Sequence, residues 1–297
     1  LKSLVINAYS PNKIRSILKS LGLSYCAAEI DEIKDEIYQR SLDLKNKELP
    51  NEVFCIYIDA YHTSIKDPDS KKVTKAVIHC VIGIDKDGQK HVFGYYEYFG
   101  SENKEHWLMV LNDLIHRGMI KPALIISDDF PGLKEAVAAL FDKTDHQLCF
   151  IHMQRNVQKH MSKSDSKEFN DTLKTLRTFK DFDKAVNDFE DLALKFKSKY
   201  PHFINQLIQK KHLYFTFLKY PEGLRKHIYT TNIVESFNSR LEVLRINLSG
   251  YFQSTKTLNL AVQVLVDKLQ FNIWKNKSPA FRAHEYEIYQ IFRTRFS

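Results

Sequence analysis

The sequence has no long apolar run and no targeting segment, and each absence excludes a class of protein. No apolar stretch reaches the roughly 18 residues that a membrane-spanning helix needs. The first residues lack the charged start, apolar middle and small-residue cleavage site of a signal peptide, so we expect neither secretion nor membrane insertion. Because residue 1 is Leu rather than Met, we also expect a fragment that lacks an amino-terminal part.

Cysteine and tryptophan are scarce as well. The four cysteines, Cys26, Cys55, Cys80 and Cys149, stand singly, which is typical of reduced thiols in a cytosol rather than of a disulfide framework. Aromatic residues are otherwise plentiful: 20 Phe and 15 Tyr, within a hydrophobic content of 43%, exclude a disordered chain. We therefore expect a globular protein in the cytoplasm, with a full core in its 297 residues.

The charge balance favours a polyanion as partner. The formal net charge is +8, from 44 Lys and Arg against 36 Asp and Glu, although many Lys-rich proteins are simply soluble. Arg240, Arg245 and Lys256 are candidates to contact a DNA backbone, and the alternative for each is an ordinary surface position.

The order of strand-like and helix-like patterns predicts a mixed α/β sheet. Residues 53–62, 74–85 and 91–99 are rich in Val, Ile, Tyr and Phe, and Asp87-Gly88 predicts a hairpin between the last two. A helix over 101–118, a strand over 122–128, a helix over 131–141 with Pro131 in its first turn, and a strand over 146–151 follow. Three antiparallel strands followed by two parallel ones are typical of a ribonuclease H-like fold.

Helical patterns fill the rest of the chain. Residues 10–40 predict a helical hairpin that breaks at Gly22 and restarts after Ser24; its acidic second helix suits packing on the next domain at least as well as reading DNA. We predict an N-terminal helical segment over 1–50, the first part of a catalytic core over 51–152, an all-helical insertion over 153–229 and C-terminal helices completing the core over 230–297.

Two of the predicted strands have aspartates at or near their C-terminal ends. Asp59 lies near the end of the first strand, and Asp128 and Asp129 come directly after Ile125 and Ile126. An ionised group beside a buried strand is costly unless it is compensated, and a metal ion is one compensation. Each Asp has an alternative role in turn chemistry.

A helix could supply a third acid. Glu235 flanks the apolar stripe of Val234, Phe237, Leu241 and Leu244, and its alternative role is a capping box with Asn232. Three clustered carboxylates would bind Mg²⁺ or Mn²⁺, and two such ions can drive an in-line phosphodiester displacement.

Several motifs, in order over nearly the whole chain, resemble the Mutator-type family of insertion-sequence transposases. They are DAYH at 59–62, SDDFPGL at 127–133, CFIHMQRN at 149–156 and TTNIVESFNSRL at 230–241. The resemblance implies a ribonuclease H-like catalytic domain with an Asp-Asp-Glu triad, here Asp59, Asp128 and Glu235, interrupted before Glu235 by a helical insertion. Asp129 departs from the family, which usually carries a small residue there, and the alignment favours Asp128 as the metal ligand.

The segment after the last strand adds further candidates. Cys149 and His152 resemble the Cys-x-x-His element of the family; a second metal-ligand pair is missing from the sequence, so a hydrogen-bonding role near the site is favoured over zinc. Arg155 and Asn156 could reach DNA phosphate, or could form a solvated helix face. Trp107 is expected in the core.

The resemblance implies a Mg²⁺-dependent (or Mn²⁺-dependent) transposase that cleaves and joins DNA at the ends of its element. Its partners would be double-stranded DNA, as terminal inverted repeats and target, and a second copy of the chain on that DNA, without a membrane; we expect it at the nucleoid. Two alternatives remain: a catalytically silent, transposase-derived DNA-binding protein, and a ribonuclease H-like nuclease acting on RNA hybrids or DNA junctions.

Overall fold

A five-stranded mixed sheet forms the centre of the protein. The structure is a computed structural model that describes residues 11–21, 27–100 and 103–296. The strands are β1 Glu52–Lys66, β2 Val73–Asp85, β3 Lys90–Phe99, β4 Lys121–Ser127 and β5 Asp145–Leu148. Their order in the sheet is β3-β2-β1-β4-β5.

The pairing directions confirm the predicted fold class. β1 pairs antiparallel with β2, and β2 antiparallel with β3, whereas β1 pairs parallel with β4 and β4 parallel with β5. At the β2–β3 turn the amide of Gly88 donates to the carbonyl of Asp85 at 3.1 Å, and Gly88 has a φ of +82°, as its hairpin position requires. This is the mixed sheet of a ribonuclease H-like fold, and β1 lies at its centre.

The helices occupy both faces of the sheet and the segment between β5 and the C-terminus. Their bounds are α1 Pro11–Ser20, α2 Ala27–Asn46, α3 Lys104–His116, α4 Leu133–Leu140, α5 Phe150–His160, α6 Lys163–Leu176, α7 Phe182–Phe196, α8 Pro201–Gln209, α9 Lys211–Phe215, α10 Glu222–Ile228, α11 Asn232–Asn247, α12 Thr255–Lys268, α13 Pro279–Ala283 and α14 Glu285–Arg295. A 3₁₀ turn, Thr216–Lys219, and a π-helical turn, Leu269–Ile273, complete the described elements. No helix within residues 11–21, 27–100 and 103–296 is both long and apolar enough to cross a lipid bilayer.

Two apolar cores lie on opposite faces of the sheet because side chains alternate along each strand. α3 and α4 cover one face, where buried Trp107 stacks on His79 with 3.9 Å between ring centroids, as expected of a core residue. α11 packs across β1 and β2 on the other face. Phe169, Phe189 and Phe215, from the helices that follow β5, belong to the same core as this second face.

The second N-terminal helix packs on the body of the protein. α2 lies against α12 and β3, where Arg40 pairs with Asp267 and the ammonium of Lys45 lies 2.7 Å from the Glu97 carboxylate. The predicted break at Gly22 and restart after Ser24 lie outside the described residues. The division of the chain into four segments stays a prediction.

Three predicted boundaries were wrong. β1 does not end near Asp59 but continues to Lys66, so Asp59 lies in the middle of the strand. Pro131 is not in the first turn of a helix: α4 begins at Leu133, after Gly132, whose φ of +79° is left-handed. The last strand ends at Leu148 rather than at residue 151, because Phe150 begins α5 and packs with Met153 and Val157 on its buried side. A short apolar run does not by itself distinguish a strand from the first turn of a helix.

Candidate active site

Asp59 lies on the central strand, facing the core that α11 covers. It is 9% exposed and pairs with Cys80 of β2. Its carboxylate accepts hydrogen bonds from the Ala60 amide at 2.9 Å and from the Asn238 side-chain amide at 2.7 Å. Burial, and then the charge of Asp128, raise the pKa of Asp59 to about 7. This carboxylate therefore lies where a nearby cation would be strongly favourable.

Asp128 lies beside Asp59 because of the parallel register of β1 and β4. Ser127, the last residue of β4, pairs with Ile58, so Asp128, just past the end of β4, comes beside Asp59 in the middle of β1. Asp128 Oδ1 contacts Nδ1 of His152 and lies 3.5 Å from the hydroxyl of Thr231. The two aspartates that the sequence places 69 positions apart are thus neighbours.

His152 connects Asp128 with Glu235. Burial opposes a charge on the ring, but hydrogen bonds to Asp128 and Cys149 outweigh it and raise the pKa of His152 to about 10. The charged imidazole pairs with both acids: Nδ1 contacts Asp128 Oδ1, and Nε2 lies 3.1 Å from Glu235 Oε1. One imidazolium ring therefore separates the two carboxylates.

Glu235 lies in the first turn of α11 and is held from α5. Arg155 donates to Glu235 Oε1 at 2.7 Å. The same guanidinium lies 2.9 Å from His152 Nε2, but that nitrogen has no lone pair to offer when the ring is charged, so we assign the donation to Glu235. No capping box forms with Asn232: Thr231 precedes the helix without a side-chain cap, and the Glu235 side chain is bonded to Arg155 instead.

A single helix thus reaches all three acids. Glu235 and Asn238 are three positions apart on α11 and lie on one side of it, as helical geometry requires. Glu235 contacts the His152 that binds Asp128, and Asn238 binds Asp59. Asn238 is 7% exposed, and its carbonyl oxygen is buried without a hydrogen-bond partner.

Asp129 faces away from this cluster. Its carboxylate accepts from the ammonium of Lys210, at the C-terminal end of α8. The ion pair gives Asp129 a local role that does not involve a metal ion, and it leaves Asp128 as the member of the pair beside Asp59.

A second set of donors shares Asp128. One ligand atom each of Asp128, Cys149 and His152 lie within 4.8 Å of one another, close enough to hold a metal ion. Burial opposes ionisation of Cys149, but hydrogen bonds with His152 and Thr231 outweigh it, so the pKa of this thiol lies below its usual value. In the part of the chain that the structure describes, no fourth Cys, His, Asp or Glu joins this group, whereas a structural zinc site needs four ligands.

The oxygen donors fit a hard cation better. Mg²⁺ and Mn²⁺ prefer carboxylate oxygens. Asp59 and Asp128 supply them side by side, with a mutual repulsion that a cation would relieve. The residues present therefore fit a divalent ion of this kind.

Comparison with known proteins places the chain in a family. The profile of a family described as "Transposase, Mutator family" matches residues 1–276. The chain belongs to this Mutator family of transposases. The family resemblance in the sequence motifs is thereby confirmed.

Named relatives are transposases of bacterial insertion sequences. The transposase for IS905 of Lactococcus lactis subsp. lactis (strain IL1403) is 26% identical over 247 residues, 82% of this chain and 62% of the relative. The transposase for IS1201 of Lactobacillus helveticus is 25% identical, over 80% of this chain and 65% of the relative. A probable insertion-sequence transposase of Corynebacterium diphtheriae is 28% identical, over 84% of this chain and 73% of the relative. The chain thus spans less than two thirds of the IS905 and IS1201 transposases.

The residues of this Mutator-family chain that were expected to contact DNA differ in exposure and in bonding partners. Arg245 is bonded to Glu242 and to the carbonyl of Gly250, and Asn156 is half-buried on α5. Arg240 is exposed on α11. Arg155, expected at DNA phosphate, donates a hydrogen bond to Glu235.

Sequence reasoning missed Asn238 and Thr231. Asn238 follows Glu235 by three positions, so its place on the same helix side could have been predicted from the helical stripe. Thr231 had no comparable signal, because its hydroxyl approaches Asp128 and Cys149 only through the packing of α5 against the start of α11.

Proposed function

We propose that the chain carries the catalytic site of an insertion-sequence transposase that cleaves and joins DNA at the ends of its element. The observation that carries the proposal is the juxtaposition of Asp59, in the middle of the central strand, and Asp128, just past the end of β4, with Glu235 one imidazole ring away. The origin of the three acids, in the surroundings of two strands and in one helix, supports a single carboxylate site.

Asp59, Asp128 and Glu235 would hold Mg²⁺ or Mn²⁺. When bound, such ions activate a water or a 3′-hydroxyl and stabilise the leaving oxygen of the phosphodiester. The protein's own groups orient the ligands: Asn238 fixes one oxygen of Asp59, and His152 fixes one oxygen of Asp128. Arg155 neutralises Glu235 while no metal ion does so.

The substrate would be double-stranded DNA, as terminal inverted repeats and as target. A net charge of +8 favours such a polyanion, and its contribution to binding should fall as salt is raised. Joining two element ends requires both in one complex, so we propose a homodimer on DNA, at the nucleoid in the cytoplasm.

The test is strand transfer by the metal-loaded chain and by three single variants. Asp59→Asn, Asp128→Asn and Glu235→Gln should each lose strand transfer by at least about 100-fold while DNA binding stays near that of the unaltered chain. Asp129→Asn is the matched control, since its carboxylate pairs with Lys210. Strand transfer at the unaltered rate in all three variants would contradict the proposal.

One observation favours a second candidate, a DNA-binding protein without catalysis. Glu235 is already bonded to Arg155 and His152, and these cations compete with a metal ion for it. Titration with Mn²⁺ in the presence of DNA separates the two: no metal binding that depends on Asp59 and Asp128 would favour the silent protein.

A further inference from the structure

A half-open cavity of about 320 Å³ lies on the far side of α11 from the acids. It is lined by residues of β1, β2, β3, α10, α11, the π-helical turn and α13. Tyr57, Trp274 and Phe281 line it with little accessible surface (2%, 6% and 2% exposed), and Ile273, at 49%, is its most exposed large apolar residue. A cavity of this size with an apolar wall is in the range of small-ligand sites.

Positive groups converge on the same cavity without negative partners. The cations Lys90, Lys226 and Arg240 line it, together with the imidazole of His227, and no Asp or Glu does. Among the described residues, the charged groups of Lys90, Lys226 and Arg240 make no ion pair or hydrogen bond. Because a cleft lined by charges of one sign focuses its field on a ligand of the opposite sign, this concentration of unpaired positive charge points to an anionic ligand.

The pKa values of two lining residues, Lys90 and His227, also favour an anionic ligand. Burial lowers the pKa of Lys90. Burial, and then the charges of Lys226 and Lys90, lower the pKa of His227. The Nε2 atom of His227 is buried without a hydrogen-bond partner. An anion in the cavity would relieve the repulsion and supply the missing partner.

α11 also offers uncharged donors to the cavity. The hydroxyl of Thr230 donates to the side-chain carbonyl of Asn232 at 2.9 Å, which leaves the amide group of Asn232 for a ligand. Ser236 lies one turn further along the helix, and Arg240 one turn beyond that. These positions are four apart and share one side of the helix.

The cavity adjoins the acid site across this helix. Glu235 and Asn238 lie on the side of α11 that faces the acids, while Ser236 and Arg240 line the cavity. Thr230, in the cavity wall, is 3.9 Å from the sulfur of Cys149. Only α11 therefore separates the cavity from a DNA strand bound at Asp59, Asp128 and Glu235.

We propose that this cavity binds one unpaired nucleotide of a DNA strand, with its phosphate at Lys226 and Arg240 and its base against the apolar wall at Ile273 and Trp274. A phosphate alone would not use the wall, and a paired base would not leave the duplex to reach it. Stacking of a single base on an aromatic surface, together with a cationic groove for the backbone, is how proteins hold unpaired strands. The inference rests on the proposed function, because it takes DNA as the substrate.

The test compares binding of two DNA duplexes by the 297-residue chain in EDTA. One duplex is fully paired and the other carries a single unpaired thymidine. We expect the second to bind about ten-fold more tightly, and thymidine 5′-monophosphate to compete for it at lower concentration than inorganic phosphate.

A double variant assigns the preference to the cavity. Lys226→Ala with Arg240→Ala should abolish the preference for the unpaired nucleotide. Both side chains are exposed, so the fold should persist, which circular dichroism checks. Lys143→Ala with Lys195→Ala is the matched control: both residues are exposed, neither lines the cavity, and the preference should remain.

Three results would overturn the inference: equal affinity of the unaltered chain for the two duplexes, a preference kept in the double variant, or equal competition by inorganic phosphate and the mononucleotide. Asp128→Asn distinguishes failure of the inference about the cavity from failure of the proposed function. Its strand transfer tests the catalytic proposal, whereas its metal-free preference for the unpaired nucleotide should equal that of the unaltered chain.

Discussion

The side-chain amide of Asn238 donates to Asp59 at 2.7 Å, from the turn of α11 that follows Glu235. One helix therefore fixes an acid on the central strand and carries another acid itself. The bond is buried, so that water does not replace it easily.

Asn238→Ala should reduce strand transfer by about ten-fold and lower the free energy of unfolding by roughly 1–2 kcal/mol, because Asp59 loses the donor that orients it. Strand transfer and urea unfolding measure the two effects. Val243→Ala, at a 57% exposed position of the same helix, is the control and should change neither. A normal rate in Asn238→Ala would mean that Asp59 needs no orientation from α11.

Asp59 should make the metal-free protein less stable as pH rises. Its folded-state pKa of about 7 lies above the ordinary value of 3.8, so between these values the folded state holds a proton that the unfolded state has lost. The free energy of unfolding then falls with rising pH across this window.

Asp59→Asn removes that dependence, because the amide mimics the protonated acid. In EDTA the variant should be more stable than the unaltered chain at pH 8, by up to about 4 kcal/mol, and equally stable at pH 4. Urea unfolding at both pH values measures the difference. Equal stability at pH 8 would contradict the raised pKa of Asp59.

Arg155 should compete with a metal ion for Glu235. Arg155→Ala removes the guanidinium at 2.7 Å, so we expect Mn²⁺ to bind the DNA-free protein a few-fold more tightly, measured by isothermal titration calorimetry. Arg245→Ala is the matched control, since Arg245 pairs with Glu242 on the same helix and not with Glu235. Unchanged or weaker Mn²⁺ binding in Arg155→Ala would show that Glu235 gains nothing from losing this cation.

Cys149 should be dispensable for metal-dependent chemistry. Cys149→Ser removes the only sulfur from the Asp128, Cys149 and His152 group, and a zinc site there would be weakened strongly. Because the oxygen donors of Asp59 and Asp128 remain, we expect Mg²⁺-dependent strand transfer within about three-fold of the unaltered chain, and no inhibition by a zinc-selective chelator. Inhibition by that chelator would instead assign a catalytic role to zinc.

The strand order and the positions of the aspartates could be predicted because they depend on local pattern. Richness in Val, Ile, Tyr and Phe identified β1 and β2, and the parallel register that brings Asp128 beside Asp59 follows from the fold class. The apolar stripe of α11 likewise predicted the helix that carries Glu235.

The contacts among side chains could not be predicted in this way. His152 lies between two acids because α5 begins at Phe150. The apolar run of 146–151 predicted a strand there and gave no indication of this helix start. Asn238 and Thr231 meet their partners through the tertiary packing of α11. Contacts of this kind produce no periodic pattern of residues from which they could be predicted. The pairing of Asp129 with Lys210 joins residues 81 positions apart and has no local signal either.

The position of a bound Mn²⁺ ion tests the account most directly. Anomalous scattering from crystals of the chain soaked in Mn²⁺ should show a peak between the carboxylates of Asp59 and Asp128, and Asp128→Asn should remove it while Asp129→Asn leaves it in place. A peak held by Cys149 and His152 instead, or one that depends on Asp129, would contradict the account.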